Sequence, residues 1–144
     1  MEIKIEKDER PDLTAGSHFR HLLSEMYSNP QVPSEMKRYV HVGWTAWREE
    51  KKIGGLFGWI SFDFASLDTV WVADSCRNQG VGSDLVRTFE QKSLELRCQR
   101  ILVATNGYTN SVGFWKKMGY QVFSELKDCP AGSNIYYMQK GLKT

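Results

Sequence analysis

The sequence predicts an α+β domain in three layers, with a mixed, mostly antiparallel sheet of about six or seven strands flanked by helices. Three observations carry this. Short runs rich in Val, Ile, Trp and Phe recur along the chain, several of them alternating apolar with polar residues as half-buried strands do. Three other stretches space their apolar residues at i, i+3, i+4 and i+7 or close to it, the stripe of an amphipathic helix. These patterns follow one another as strand, helix, three strands, helix, strand, helix, two strands. The chain has 144 residues, the size of one domain spanning 1–144. That length buries about two-thirds of the unfolded chain's surface, enough for a core without staples.

Taken in order, residues 2–6 alternate with Ile3 and Ile5 on one face and predict an edge strand. Pro11 and Asp12 start a helix whose stripe is Phe19, Leu22, Leu23 and Met26, and Asn29-Pro30 ends it. Residues 33–38 add a helical turn. Residues 39–48 and 53–62 read as a hairpin across the polar tip Glu49-Glu50-Lys51-Lys52, and Gly54, Gly55 and Gly58 mark a bulge or a close backbone approach. Residues 67–73 form the next strand. A helix then runs from Val81 to Leu96, with Leu85, Phe89, Ser93 and Leu96 on one face. Residues 99–105 are the near-continuous apolar run of a strand covered on both faces. Thr109 or Asn110 caps a short helix with the stripe Ser111, Phe114, Trp115 and Met118, and Gly119 stops it. Residues 120–124 and 134–139 are the last strands, joined by the turn-rich segment 128–133. The aromatic residues Trp44, Trp47, Phe57, Trp59, Phe62 and Phe64 load the central hairpin, with Trp44 and Trp47 on opposite faces.

Composition narrows the function. Hydrophobic residues make up 41% and charged residues 25%, and the net charge is +2. That balance argues against a nucleic-acid binder, which carries a clear basic excess, and leaves room for a local basic patch beside an anionic cofactor. Cys76, Cys98 and Cys129 are scattered, match no zinc spacing and imply no disulfide framework, so the chain reads as reduced and cytoplasmic. Cys76 reads as a small buried or half-buried thiol. His18, His21 and His41 form no metal pattern, and the expectation is that no metal is bound. The N-terminus has no signal core, and no run reaches the ~18 apolar residues of a membrane span.

The most informative stretch runs from Val70 to Ser83. A short apolar strand and a polar break lead into Arg77-Asn78-Gln79-Gly80-Val81-Gly82-Ser83, which opens directly into a helix. Such a loop presents unpaired backbone N–H groups and the positive end of the helix, which together suit a phosphate or diphosphate. A lysine after the glycines, as nucleotide-phosphate loops require, is absent from Gly82-Ser83-Asp84.

The Arg-x-x-Gly-x-Gly pattern resembles the acyl-CoA motif of the GCN5-related N-acetyltransferases (GNAT family). A second segment, Asn110-Ser-Val-Gly-Phe114-Trp115-Lys-Lys117-Met-Gly119-Tyr120, is similar to the family's Phe-Tyr-x-Lys-Leu-Gly-Phe/Tyr. Asp68-Thr-Val-Trp71-Val72 and the ending from Pro130 to Leu142 resemble one branch of small bacterial members. The order of elements matches the family's fold over almost the whole chain. The resemblance implies a GNAT-like sheet splayed at its centre and acetyl-CoA as cosubstrate. It implies backbone pairing of Trp71 and Val72 with the pantetheine arm, diphosphate binding by the amides of residues 77–83 with Arg77 beside them, and a helix carrying Asn110, Phe114 and Trp115 next to the thiol. It also implies an acceptor amine on a small molecule or peptide, and makes a homodimer plausible.

Acetyl transfer to an amine requires a deprotonated amine, a donor for the charge that grows on the thioester oxygen and a thiolate that leaves. By the resemblance the oxyanion donor is the backbone N–H of Val72. The family's acid is a tyrosine where this chain has Trp115, whose indole cannot act as an acid near neutral pH. Either the thiolate leaves unassisted or another phenol serves: Tyr108 is nearest in sequence, with Tyr136 and Tyr137 further candidates. Asp74 is the candidate base, with Asp68 and Glu25 as other carboxylates and water as the remaining possibility. A different class of reading is a CoA-binding regulatory module without transferase activity, to which the tryptophan lends its support. The acceptor and the preferred acyl length are not legible in the residues.

Overall fold

The computed structural model of the protein describes residues 4–6, 22, 33–108 and 111–143. Eight elements make the fold: β1 (Tyr39–Arg48), β2 (Lys51–Ser61), β3 (Phe64–Val72), α1 (Val81–Glu95), β4 (Arg100–Asn106), α2 (Ser111–Lys117), β5 (Gln121–Lys127) and β6 (Asn134–Gly141). Short 3-10 turns occupy Ser34–Met36 and Asp74–Cys76. The strands form one six-stranded sheet in the order β1-β2-β3-β4-β6-β5. Neighbours are antiparallel except β3 and β4, which run parallel. A parallel pair needs a crossover, and here α1 provides it. The mixed, mostly antiparallel sheet expected from the sequence is therefore present.

Element boundaries shift where turns are tighter than the composition suggests. The β1–β2 connection is the pair Glu49-Glu50, with Glu49 at φ 56°, and Lys51 and Lys52 already belong to β2. β3 begins at Phe64, three residues before the expected start, because Phe62 adopts φ 52° and reverses the chain at once. β5 and β6 each extend beyond the expected strands. Residues 4–6 are not in a strand: Ile5 is almost wholly exposed and Lys4 pairs with Glu6 at 2.7 Å, so no face is buried to hold them in the sheet. The expected first helix, with His18, His21 and Glu25, lies outside the described residues except for Leu22, which is helical and exposed.

The core sits between α1 and one face of the sheet. Leu85, Val86, Phe89 and Ser93 of α1 meet Leu56, Ile60, Ala65, Leu67, Ile101 and Val103, all buried. Trp44 packs its ring edge-on to Phe89 at 6.4 Å, whereas Trp47, past a bulge at Ile53 of β2, stays exposed under Lys52. Arg38 fastens the start of β1 to the rest by donating to the carbonyls of Phe62 and Leu96. At the end of α2 the amides of Gly119 and Tyr120 return to the carbonyls of Lys116 and Trp115 at 3.0 and 2.9 Å, and Gly119 takes φ 95°. This closes the helix with the paired bonds of a Schellman turn and drives Tyr120 into the core.

Tyr120 donates to Glu90 Oε2 at 3.0 Å, and the Lys140 ammonium lies 2.9 Å from the same oxygen and 2.8 Å from the Met118 carbonyl. Burial, followed by the Glu90 charge and its hydrogen bond, raises the phenol's pKa above its ordinary value. Above pH ~10 the unfolded chain releases this proton while the folded one keeps it, so this group makes stability fall as pH rises. The expected result is that wild type loses urea resistance between pH 9 and 11 more steeply than Tyr120→Phe. At neutral pH the variant should be less stable by about 1 kcal/mol for the lost hydrogen bond. Parallel pH slopes for the two proteins would contradict the reading.

Candidate active site

β3 and β4 pair only from Phe64 opposite Arg100 to Leu67 opposite Val103. Beyond that point β3 continues against β2 as far as Val72, and β4 continues against β6 as far as Asn106. The cause is local. Leu67 pairs with Gly58 and Thr69 with Phe57, leaving Asp68 as an extra residue in β3. A bulge of this kind bends its strand and sharpens its twist, and it falls where β3 leaves β4. The resulting split is a cavity of about 790 Å³. Asp68 to Val72 line one wall and Val103 to Asn106 the other; Ser111, Phe114 and Trp115 close one end and the loop 77–83 frames the mouth.

The strand edge facing this cleft pairs with no other strand, and its Val72 carbonyl accepts from Arg77. Ala73 donates its amide to the Ile53 carbonyl at 2.8 Å. Strand amides alternate in direction, so Trp71, opposite Gly55, also turns its backbone to β2, and Val70 and Val72 turn theirs into the cleft. The pairing expected of Trp71 therefore moves to Val70, because Trp71's own peptide groups belong to the β2–β3 ladder. Its side chain still lines the cleft and is 47% exposed.

At the mouth, Asn78 takes φ 61° and Gly80 φ 86°. Gly80 is the residue before α1, and no side chain caps that helix. The first helical return bond is Asp84 to the Gly80 carbonyl at 3.0 Å, so the amides of Val81, Gly82 and Ser83 have no acceptor within the helix. They form, with the helix dipole, a site for negative charge. A Cβ on Gly82 would lie 3.5 Å from Val72 and 3.7 Å from Phe114, so a small residue here lets α2 close against the loop. These features fit a long ligand with an anionic centre: a diphosphate at the loop and an arm along Val70 and Val72.

The other expected site residues fall as follows. Arg77 lines the cleft, with its Nε donating to the Val72 carbonyl at 3.1 Å and its guanidinium pairing with Asp74 at 2.9 Å. Asp74 is thereby held by Arg77 and is not among the cleft-lining residues, whereas Asp68 is. Tyr108 also lies off the cleft lining: its ring is 63% exposed and its hydroxyl donates to the Ala131 carbonyl. Trp115 is buried, edge-on between Phe114 and Tyr120 at 5.0 Å from each, where it serves the core. Asn110 lies outside the described residues. Residue-by-residue reading missed Val70 as a cleft amide and the bonded hydroxyls of Thr105 and Ser111 on the far wall. Gly58 was the one available signal: the close approach expected there is the residue opposite the bulge.

Sheet, split and loop define an acyl-CoA N-acyltransferase fold. The family described as Acetyltransferase (GNAT) family matches residues 6–120. The chain is similar to an acetyltransferase from Bacillus cereus, whose crystal structure superposes with a TM-score of 0.78 at 26% identity, covering 97% of this chain and 98% of that one. It is 29% identical to blasticidin-S acetyltransferase from Streptomyces morookaense over 90 residues, 62% of this chain and 65% of that protein. A streptothricin-acetyltransferase-like protein from Bacillus anthracis, solved in complex with acetyl coenzyme A, shares the fold with a TM-score of 0.66 at 17% identity, over 72% of this chain and 63% of that one. The chain belongs to the GNAT acetyltransferase family.

Proposed function

We propose that this protein transfers the acetyl group of acetyl-CoA to a primary amine on a small molecule or peptide, by direct attack of the amine on the thioester. The observation that carries the reading is the cleft itself, whose unpaired strand edge at Val70 and Val72 ends at the amide-rich start of α1. In this reading the amides of residues 80–83 hold the diphosphate, Val70 and Val72 hold the arm, and Phe114 packs beside it. Acetyl-CoA supplies an activated carbonyl. The Val72 N–H donates to the oxygen on which charge develops.

Arg77 supports the loop through Val72 and Asp74 rather than as a direct phosphate ligand. Asp68, which lines the cleft, offers its carboxylate to a cationic group of the acceptor, and proton removal from the attacking amine falls to water. No phenol is assigned as leaving-group acid, since the Tyr108 hydroxyl is engaged at Ala131. A thiol of pKa ~8.5 leaves as its anion without help. The names of blasticidin-S acetyltransferase and the streptothricin-acetyltransferase-like protein make blasticidin S and streptothricin the first acceptors to try.

The test is thiol release from acetyl-CoA across an amine panel, with calorimetric CoA binding in parallel. Binding with turnover is the expected result. Binding without turnover on every amine favours the regulatory module, and absence of binding by folded protein overturns the reading.

A further inference from the structure

Arg48, the last residue of β1, reaches across to the loop that precedes α1. Its guanidinium donates to Gln79 Oε1 at 2.8 Å and lies 3.7 Å from Cys76 Sγ, while Gln79 donates its own amide to the Ser75 carbonyl at 3.3 Å. Arg48 bonds a side-chain amide and a cysteine sulfur, and it enters no ion pair among the described residues. Arg77 differs: the Asp74 carboxylate offsets its charge at 2.9 Å. The uncompensated cation tied to this loop is therefore Arg48, from an element more than twenty-five residues away in the chain.

We propose that Arg48 is a positioning residue of the coenzyme site, a strap from β1 that holds residues 75–80 in their amide-presenting shape and adds a positive charge to the outer side of that loop. This rests on the acetyl-CoA reading above and extends it to a residue that the loop motif does not contain. Two physical effects support it. The loop contains two left-handed residues, Asn78 and Gly80, so it competes with other conformations, and apparent affinity scales with the fraction held in the binding shape. A cation without a carboxylate partner also raises the local concentration of an anionic ligand. Arginine suits both tasks, because one planar group bonds Gln79 and Cys76 at once.

The test is calorimetric titration of CoA and of dephospho-CoA, which lacks the 3′-phosphate, into the full chain and its Arg48→Met, Arg48→Lys and Gln79→Ala variants, with steady-state kinetics on the best amine. Arg48→Met is expected to weaken CoA about tenfold and to raise KM for acetyl-CoA in proportion. Its kcat and its KM for the amine should stay within about twofold, and its thermal midpoint close to wild type. Arg48→Lys should recover part of the affinity, because the charge remains. Gln79→Ala should lose about threefold, because the strap loosens. Equal losses with both ligands assign the charge to the diphosphate; a loss confined to CoA assigns it to the 3′-phosphate; either supports the proposal. CoA affinity unchanged within twofold in Arg48→Met overturns it, and if that variant does not fold, unchanged affinity in both Arg48→Lys and Gln79→Ala does the same. Wild-type protein that is folded and binds no CoA overturns the acetyl-CoA reading first, and this proposal with it.

Discussion

Gly58→Val is expected to destabilise the protein by about 3 kcal/mol or more, at or above the upper end for overpacked cores. For a chain of this length that is a fall of roughly 10 °C in the thermal midpoint. Even a methyl group has no room there: a Cβ on Gly58 would lie 2.6 Å from the Ser66 carbonyl oxygen and 2.8 Å from Cε2 of Phe89. Phe89 cannot turn away freely, because it is fully buried and meets Trp44 edge-on. The Ser66 oxygen is backbone of the neighbouring strand and yields only if β3 moves. A double-mutant cycle separates the two obstacles. In Gly58→Ala, adding Phe89→Leu should recover the part owed to the ring and leave the part owed to the carbonyl. A midpoint for Gly58→Val within 2 °C of wild type would mean that β2 and α1 do not approach this closely. Activity should fall as well, because pushing α1 off the sheet displaces the amides of Val81 to Ser83 from the mouth of the cleft.

That glycine also marks how far the sequence could be read. What was legible was local. The stripe of α1, the loop from Arg77 to Ser83 and the stop at Gly119 each depend on residues within a turn or two of one another, and each stands where expected. The hairpin of β1 and β2 was legible from its apolar runs, but its two-residue turn was not, since Glu49 is an unusual residue for a positive φ. The parallel junction of β3 and β4 joins residues more than thirty positions apart, and nothing in either segment states where their pairing stops. Asp68 is invisible as a bulge until β2 is laid beside it. Asp74 and Tyr108 stand out in the sequence for their closeness to the loop and to α2. Closeness along the chain is a poor guide where a 3-10 turn points Asp74 at Arg77, and where Tyr108 reaches across to Ala131. Trp115, aligned with a cofactor-side position by the resemblance, closes one end of the cleft and also packs in the core against Phe114 and Tyr120.

Asp68→Asn is expected to lower kcat/KM for the amine by about tenfold, the loss of one charge-assisted contact to a cationic group of the acceptor, with CoA affinity within twofold of wild type. Asp68 lines the cleft and enters no ion pair among the described residues. Asp74, by contrast, has its charge offset by Arg77 at 2.9 Å, and Asp74→Asn should leave turnover within about threefold. Asp68 and Val72 lie four residue steps apart, up to about 13 Å at ~3.3 Å per residue. At that separation the carboxylate is beyond the one-water reach of a general base for a nitrogen attacking beside Val72, so it serves by holding a cationic group of the acceptor across the cleft. Asparagine keeps the size and hydrogen-bonding shape of the side chain at the bulge, so a loss of turnover without loss of CoA binding or thermal stability isolates the charge. A kcat/KM within threefold of wild type in Asp68→Asn would reduce Asp68 to the residue that opens the sheet.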